Sequence, residues 1–177
     1  MSTGASLWFN EPLESEIRNL WSDLAAAGIS DGLHAGPYRP HLTLGVWDSL
    51  DPGPLAGVLR EALKTEIGPE VRFEAIGVFP GKHGVVYLTP GVTDALSLIR
   101  NRVKAAALEL GGRPATWLPS GPWFPHCTLA WELTAAQLLD AVRRLLPVEL
   151  PLTGRAVALG IVDTPAEVEL ERIPLGL

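Results

Sequence analysis

Cysteine is almost absent from this sequence, which has only Cys127 among its 177 residues. An internal disulfide is therefore excluded, and no paired-cysteine spacing indicates a structural zinc site. The first residues, MSTGASLWFNEPLESE, also lack the basic region and the long apolar core of a secretory signal. Both absences favour a reducing cytoplasm as the compartment.

Basic residues are scarce as well. Lys and Arg number 14 against 20 Asp and Glu, which gives a formal net charge of −6. Long nucleic acids are held mainly by rows of Lys and Arg that neutralise phosphates, and the sequence contains no such row. If the protein handles phosphate, we expect it to bind one or two phosphates locally, as on a nucleotide or a short RNA.

Long apolar runs are a third absence. None approaches the roughly 18 residues that a membrane-spanning helix needs. The overall content of 47 % hydrophobic and 19 % charged residues is typical of a globular protein. The length suits one domain, or two small lobes that share a core. We therefore expect residues 1–177 to form a single domain, monomeric and without membrane contacts.

The order of apolar patterns and turn residues predicts strand, helix, strand, helix, two strands, helix, strand, helix and closing strands. Asn10 is placed to begin the first helix, and the second helix is predicted to end at Gly68. The runs EVRFEAIGVFP and HGVVYLTP indicate a hairpin. Thr134 and Gln137 form a capping-box signature for the last helix.

One short motif, Pro-His-x-Thr-Leu, occurs twice, within PYRPHLTLGVW and PWFPHCTLAW. Its members are Pro40, His41, Thr43 and Leu44 in the first copy and Pro125, His126, Thr128 and Leu129 in the second. Both copies lie in apolar, strand-like runs. Because side chains alternate between the faces of a strand, each histidine shares a face with its threonine, and the leucines face the core.

Two imidazoles and two hydroxyls that meet in one groove suit phosphodiester chemistry. In-line displacement at phosphorus needs a base on the attacking oxygen and an acid on the leaving oxygen, and histidine fills either role near neutral pH. Threonine hydroxyls donate hydrogen bonds to the non-bridging oxygens. Two histidines fall short of the three or four ligands usual for zinc, so no metal and no cofactor is expected. The alternative to a catalytic role is that the repeated motif is an ancient structural duplication without activity.

The paired His-x-Thr motifs on similar halves resemble the two-histidine (2H) phosphoesterase superfamily. Its bacterial members are often named 2′-5′ RNA ligase or RNA 2′,3′-cyclic phosphodiesterase. The resemblance spans almost the whole chain. It implies an α+β fold, a bilobal and pseudo-symmetric duplication in which two antiparallel sheets form a central cleft with helices outside.

The resemblance also implies an activity. This is the metal-independent hydrolysis of a 2′,3′-cyclic phosphate, on an RNA end or a small nucleotide, typically to a 2′-phosphate. By the motif, His41 and His126 are the catalytic pair, and Thr43 and Thr128 bind the phosphate. We assign His126 to activate water and His41 to protonate the leaving oxygen.

The chain departs from the family pattern at one position. Many members place an arginine three residues after the second threonine, where this chain has Trp131. A phosphate-binding cation is therefore missing there. Arg39 beside the first motif, Lys82 in the hairpin turn and Arg113 before the second motif are the candidate replacements.

Aromatic residues flank both motifs. Tyr38 precedes the first histidine, and Trp123 and Phe124 precede the second. At the mouth of a cleft such rings stack on bases, whereas in the interior they simply pack in the core. They are candidate substrate-binding residues.

Two other functions fit the same residues. The first is 2′-5′ RNA ligase activity, which uses the same acid and base groups. The second is a nucleotide- or RNA-binding module without catalysis, in which four intact motif side chains would have no evident purpose.

Overall fold

Eight strands and five helices make up the part of the chain that the computed structural model describes, which comprises residues 2–117, 121–164, 166 and 168–176. In chain order they are β1 (Ser2–Phe9), α1 (Glu11–Ala26), α2 (Gly32–Ala35), β2 (His41–Asp48), α3 (Pro52–Leu63), β3 (Glu70–Phe79), β4 (Gly84–Pro90), α4 (Asp94–Glu109), β5 (Arg113–Pro114), β6 (Cys127–Leu133), α5 (Ala135–Leu145), β7 (Leu152–Asp163) and β8 (Val168–Pro174).

The strands are antiparallel and follow the order β5-β2-β1-β7-β3-β4-β6, with β8 also paired to β7. The first four residues of β7 pair with β3, and the rest pair with β1 and β8. We call β1, β2, β5, β8 and the second part of β7 the first lobe, and β3, β4, β6 and the first part of β7 the second lobe. The predicted antiparallel α+β fold is confirmed, and β7, which belongs to both lobes, joins the two predicted sheets into one eight-stranded sheet.

Helices cover one face of each sheet. The helices α3 and α4 pack on the first lobe, and α1 and α5 pack on the second. Side chains alternate along both motif strands as expected: Leu42, Leu44, Cys127 and Leu129 are buried in the core. None of the described helices is long and apolar enough to span a membrane.

Helix starts follow the predicted signals with one difference. Thr134 and Gln137 form the predicted capping box of α5. Asn10 precedes α1 as predicted, but its side chain makes no cap hydrogen bond. Its Oδ1 instead accepts a hydrogen bond of 2.8 Å from the backbone N–H of Arg155. This contact joins the start of α1 to β7, at the strand that the lobes share.

The second long helix, α3, ends at Leu63 and not at the predicted Gly68. The backbone N–H of Gly68 bonds to the carbonyl oxygen of Gly176 at 2.8 Å, and Ile67 forms a bridge to the same residue. The segment thus pairs with the end of the chain, a long-range contact that local signals do not encode. The single turn α2 and the two-residue strand β5 were not predicted, because both are too short to show a period.

One glycine of β7 is required by close packing. A Cβ atom at Gly160 would lie 1.9 Å from Cζ2 of Trp8, far inside van der Waals contact. Gly57 of α3, in contrast, has no atom within 4 Å of the position of its Cβ.

Gly160→Ala is therefore expected to lower the free energy of unfolding by about 1–3 kcal/mol, the usual cost of overpacking. Gly57→Ala, the matched control, should raise it by about 0.5–1 kcal/mol, because alanine favours the helix. Urea unfolding of both variants measures the difference. Equal stability of the two variants would contradict the packing of Trp8 on β7.

Candidate active site

His41 is the first residue of β2 and is half-buried. Its Nδ1 lies 2.7 Å from the backbone carbonyl oxygen of Arg39. A carbonyl oxygen only accepts hydrogen bonds, so Nδ1 must carry the hydrogen and donate it. In the neutral imidazole the other nitrogen, Nε2, then holds the lone pair and is the atom at which His41 takes up a proton.

His126 is held in the same way, directly before β6. Its Nδ1 lies 2.9 Å from the carbonyl oxygen of Phe124, again the residue two positions earlier. The two copies of the motif therefore select the same tautomer and leave both Nε2 atoms for proton exchange. Thr43 and Thr128 are half-buried like the histidines two positions before them.

The two motif strands meet along the unpaired edge of β2. This strand pairs with β1 on one side, but with β5 only at its last two residues on the other. On that open edge, Trp123 Nε1 donates a hydrogen bond of 2.9 Å to the carbonyl oxygen of Thr43. Burial raises the pKa of the Cys127 thiol, and the neighbouring backbone of His41 opposes this, so Cys127 lies beside the start of β2. The segment that enters β6 thus runs along β2 and brings the second motif next to the first.

On the outer edge of β6, a second indole hydrogen-bonds to a backbone carbonyl. Trp21 of α1 donates from Nε1 to the carbonyl oxygen of Thr128 at 3.0 Å. A guanidinium lies over each indole: Arg18 over Trp21 and Arg100 over Trp123, both 5.6 Å from the ring centre. Both motif threonines therefore have their backbone carbonyl held by a tryptophan.

The two histidines affect each other electrostatically. Burial lowers the pKa of His41 below its ordinary value, the hydrogen bond to the Arg39 carbonyl opposes this, and positive charge on His126 lowers the pKa further. A lowered pKa keeps His41 neutral near pH 7, which suits a proton acceptor. This direction favours the reverse of the roles assigned from the sequence, in which His126 activates water and His41 protonates the leaving oxygen.

In the first lobe, His41 and Thr43 line an open pocket with a volume of about 110 Å³. That is several times the space that one water molecule needs, and it accommodates a phosphate group. The other lining residues are Gly4, Ser6, Trp8, Pro37, Tyr38, Arg39, Val46, Val162, Thr164 and Glu169. Hydroxyls, two charged groups and two aromatic rings thus surround the first motif.

The second lobe surrounds its motif with aromatic rings. The ring of His126 lies 5.2 Å from that of Phe79, 5.3 Å from that of Tyr87 and 6.4 Å from that of Phe124. Tyr87 is paired with Thr128 in the sheet register. Phe124 is half exposed and offers an open face. The described ring contacts of His126 are thus all aromatic, whereas the pocket at the first motif also contains charged groups.

The cations proposed from the sequence are in three separate places. Arg39 lines the pocket beside His41. Lys82 is exposed in the turn between β3 and β4, at the end of β6 opposite to His126. Arg113 pairs with the last residue of β2, roughly 20 Å from His41 at about 3.3 Å per strand residue. Of these three, Arg39 alone is near the first motif.

The aromatic candidates are also separated. Tyr38 lines the pocket, and Trp131 packs edge-to-face on it at 4.8 Å between ring centres. Phe124 lies beside His126, as described above. Trp123 is half-buried, with its N–H bonded to Thr43 and its ring against Arg100. Its N–H thus supports β2, and a guanidinium lies over its ring.

Sequence reasoning missed several neighbours of the motifs. Trp8 was not singled out as a site residue; it is buried, yet it also lines the pocket. Phe79, Tyr87 and Arg172 were not singled out. Strand alternation places each on a defined face, but only the register between strands shows which faces border the motifs. Within the described residues, no three His, Cys, Asp or Glu side chains are grouped so as to hold a metal ion.

A family model described as the 2′-5′ RNA ligase superfamily matches residues 54–166 of the chain. The matched segment contains the second motif, and the first motif lies before it. No curated protein matches this chain at the sequence level.

Solved structures resemble the whole chain. LigT of E. coli, solved in complex with 3′-AMP, is 16 % identical with a TM-score of 0.63, and the alignment covers 99 % of this chain and 98 % of LigT. TT0787 of Thermus thermophilus is 18 % identical, with a TM-score of 0.64 and the same coverage. Usb1 of Kluyveromyces marxianus is 13 % identical, with a TM-score of 0.57 and 98 % coverage of both chains. At these identities the likeness concerns the fold.

The coupling between the histidines can be measured by NMR titration. The pKa of His41 is expected below its ordinary value of 6.5. Because positive charge on His126 disfavours a proton on His41, His126→Ala should raise the titration midpoint of His41. His83→Ala, at an exposed position in the β3–β4 turn, is the control and should leave it unchanged. A midpoint that does not respond to His126→Ala would show that the two rings do not share one site.

Proposed function

The chain belongs to the 2′-5′ RNA ligase superfamily, and from this premise we propose that it hydrolyses 2′,3′-cyclic phosphates on nucleotides or short RNA ends to phosphomonoesters, typically 2′-phosphates. One observation carries the proposal: two histidines on adjoining strands each have Nδ1 bonded to a carbonyl, so that each presents Nε2 for proton transfer. A structural histidine needs no such repetition.

In the proposed reaction, water attacks phosphorus opposite to the 3′-oxygen of the ring. One neutral imidazole takes a proton from the water as the new P–O bond forms. The other imidazole, protonated at the start, gives its proton to the 3′-oxygen as the old P–O bond breaks. The product is a 2′-phosphate with a free 3′-hydroxyl, and the two histidines have exchanged protonation states. No step requires a metal or a cofactor.

The threonines are proposed to hold the phosphate. Each hydroxyl has a donor for a non-bridging oxygen, on which negative charge increases as water adds. The indole hydrogen bonds to the backbone carbonyls of Thr43 and Thr128 fix the strand positions from which these hydroxyls project. Trp21 and Trp123 are therefore positioning residues in this proposal.

The nucleoside is proposed to lie against the aromatic side of the second lobe. Phe124 is half exposed beside His126, and flat rings accept any base by stacking. Small nucleotides are also present in structures of similar fold, namely LigT with 3′-AMP and Usb1 with uridine monophosphate. Tyr38 and Arg39 are proposed to face the same substrate from the first lobe, whereas Arg113, at the far end of β2, is not. Lys82, three residues after Phe79, stays a candidate.

Ligation is the second candidate function, favoured by the family that the chain belongs to. Joining a cyclic phosphate to an RNA hydroxyl uses the same groups, with the hydroxyl in place of water. We propose hydrolysis first, because the net charge of −6 disfavours holding two RNA strands at once.

Turnover of a panel of nucleoside 2′,3′-cyclic phosphates and short RNAs with cyclic-phosphate ends, assayed in chelator, tests the proposal. His41→Ala and His126→Ala are each expected to lower kcat about 10²- to 10⁴-fold, the usual effect of losing a positioned acid or base. His34→Ala, at an exposed position in α2, is the control. Binding without any turnover would instead indicate a nucleotide-binding module, and activity restored only by a divalent metal would contradict the mechanism.

A leaving-group series separates the roles of the histidines. An activated phosphodiester with a nitrophenol leaving group needs no proton on the departing oxygen. The variant that lacks the acid should therefore recover most of its activity on this substrate, and the variant that lacks the base should not. The lowered pKa of His41 favours recovery in His126→Ala. Recovery in His41→Ala would support the roles assigned from the sequence, and equal loss in both variants would exclude a division into acid and base.

A further inference from the structure

Trp8 lies flat on the strand beside it. The Cβ position of Gly160 is 1.9 Å from Cζ2 of Trp8 and 2.3 and 2.4 Å from the two ring atoms bonded to Cζ2. If this Cβ position lay in the plane of the ring, the two bonded atoms would be farther away than they are. The distances therefore place the Cβ position directly above Cζ2, over the face of the ring. The backbone of β7 thus covers one face of the indole, and only the opposite face is left for other groups.

Two arginines occupy that remaining face. The Cζ atoms of Arg39 and Arg172 each lie 5.0 Å from the centre of the Trp8 ring. Arg39 approaches from the start of β2, and Arg172 approaches from β8 on the other side. The two guanidinium groups are therefore separated by no more than about twice that distance. Stacking on one indole holds two like charges near each other.

The acidic partners of these arginines do not neutralise the charges fully. Glu14 Oε2 accepts from Arg39 Nε at 2.9 Å and lies 2.7 Å from its Nη2, while Glu14 Oε1 bonds to Arg18. The nearest carboxylate to Arg172 is Glu169 at 3.7 Å, beyond hydrogen-bond distance. Among the described residues, the Arg172 side chain donates no hydrogen bond. Within the part of the chain that the structure describes, the guanidinium groups of Arg18, Arg39 and Arg172 thus share two carboxylates, those of Glu14 and Glu169. This cluster is positive in a protein whose net charge is negative.

The arginine pair borders the first motif. Trp8 is paired with His41 in the register of β1 and β2. One row across the sheet contains Thr43, Ser6, Gly160 and Arg172, each paired with the next. The guanidinium groups therefore lie on the same sheet face as the pocket, next to the side chains that the proposed reaction uses.

We propose that Arg39 and Arg172, stacked side by side on Trp8, form an anion site that binds a second phosphate of the substrate, next to the phosphate that reacts. The placement beside a reacting phosphate rests on the proposed function. The second phosphate is either a terminal 5′-phosphate on a cyclic nucleotide or the next phosphodiester of a short RNA. Both present oxygens to the guanidinium N–H groups, and the first carries more charge.

Three substrates distinguish these sources: a nucleoside 2′,3′-cyclic phosphate with a 5′-hydroxyl, the same compound with a 5′-phosphate, and a dinucleotide that ends in the cyclic phosphate. Relative to the 5′-hydroxyl compound, the parent protein should show about tenfold higher kcat/KM on whichever substrate carries the second phosphate it recognises. Arg172→Gln should bring that ratio close to one. Arg60→Gln is the matched control, because Arg60 pairs with Glu171 on the opposite face of β8, and it should keep the ratio.

A ratio near one in the parent protein would overturn the proposal. An equal loss on all three substrates in Arg172→Gln would overturn it as well, because it would show that Arg172 acts on the reacting phosphate. Thermal unfolding of Arg172→Gln and Arg60→Gln establishes that the two variants are equally folded.

Binding measured without turnover separates this proposal from the proposed function. Calorimetric titration with a nucleoside 5′-monophosphate and with the corresponding nucleoside should show tighter binding of the monophosphate by about tenfold, reduced in Arg172→Gln and kept in Arg60→Gln. This result would support the anion site even if no cyclic phosphate were hydrolysed. Equal binding of both compounds by the parent protein would count against the site, whether or not hydrolysis is found.

Discussion

The site depends on two strand edges, of β2 and of β6, that no other described strand covers beside the motifs. A backbone carbonyl on an open edge must find a donor, yet a further strand at this position would fill the space where the motif side chains meet. Tryptophan resolves the conflict at both motifs, since Trp123 bonds to the Thr43 carbonyl and Trp21 bonds to the Thr128 carbonyl. The edges are left free of a further strand beside the motifs, and these two carbonyl groups are satisfied.

The duplication is symmetric in its backbone and asymmetric in its surroundings. Both histidines bond to the carbonyl two residues earlier, and in both lobes an aromatic ring packs on a glycine of the neighbouring strand, Trp8 on Gly160 and Tyr87 on Gly77. Around these shared features the first lobe places hydroxyls and guanidinium groups, and the second places rings. A nucleotide has the same division between a charged, hydroxyl-rich part and a flat apolar part.

The local features of the fold were predictable from the sequence, because they depend on neighbouring residues. The capping box at Thr134 and the hairpin between β3 and β4 belong to this class, as do the alternating faces of the two motif strands. Features that join distant segments were not predictable. The end of α3 depends on Gly176, and the support of Thr43 by Trp123 depends on a contact between residues far apart in the chain.

Contacts between distant segments also decide which cations lie near the motifs, and the sequence does not show them. The sequence directed attention to charges next to the motifs or in the hairpin, so Arg39 was considered together with Lys82 and Arg113. Arg172 is far from both motifs in sequence, and only the pairing of β8 with β7 brings it near them. A position that lacks the expected arginine, Trp131, therefore indicates little about whether the folded site contains a cation.

The passage of β7 through both lobes has a consequence for substrate selection. β7 pairs with β3 over its first four residues and with β1 and β8 over the rest, so an unbroken strand, and not a loop, joins the two lobes. We therefore expect the gap between the motifs to be set mainly when the protein folds, with little closure around a ligand. Under the proposed function, such a preorganised gap discriminates substrates by size, because a cyclic phosphate must fit between the two imidazoles as they stand.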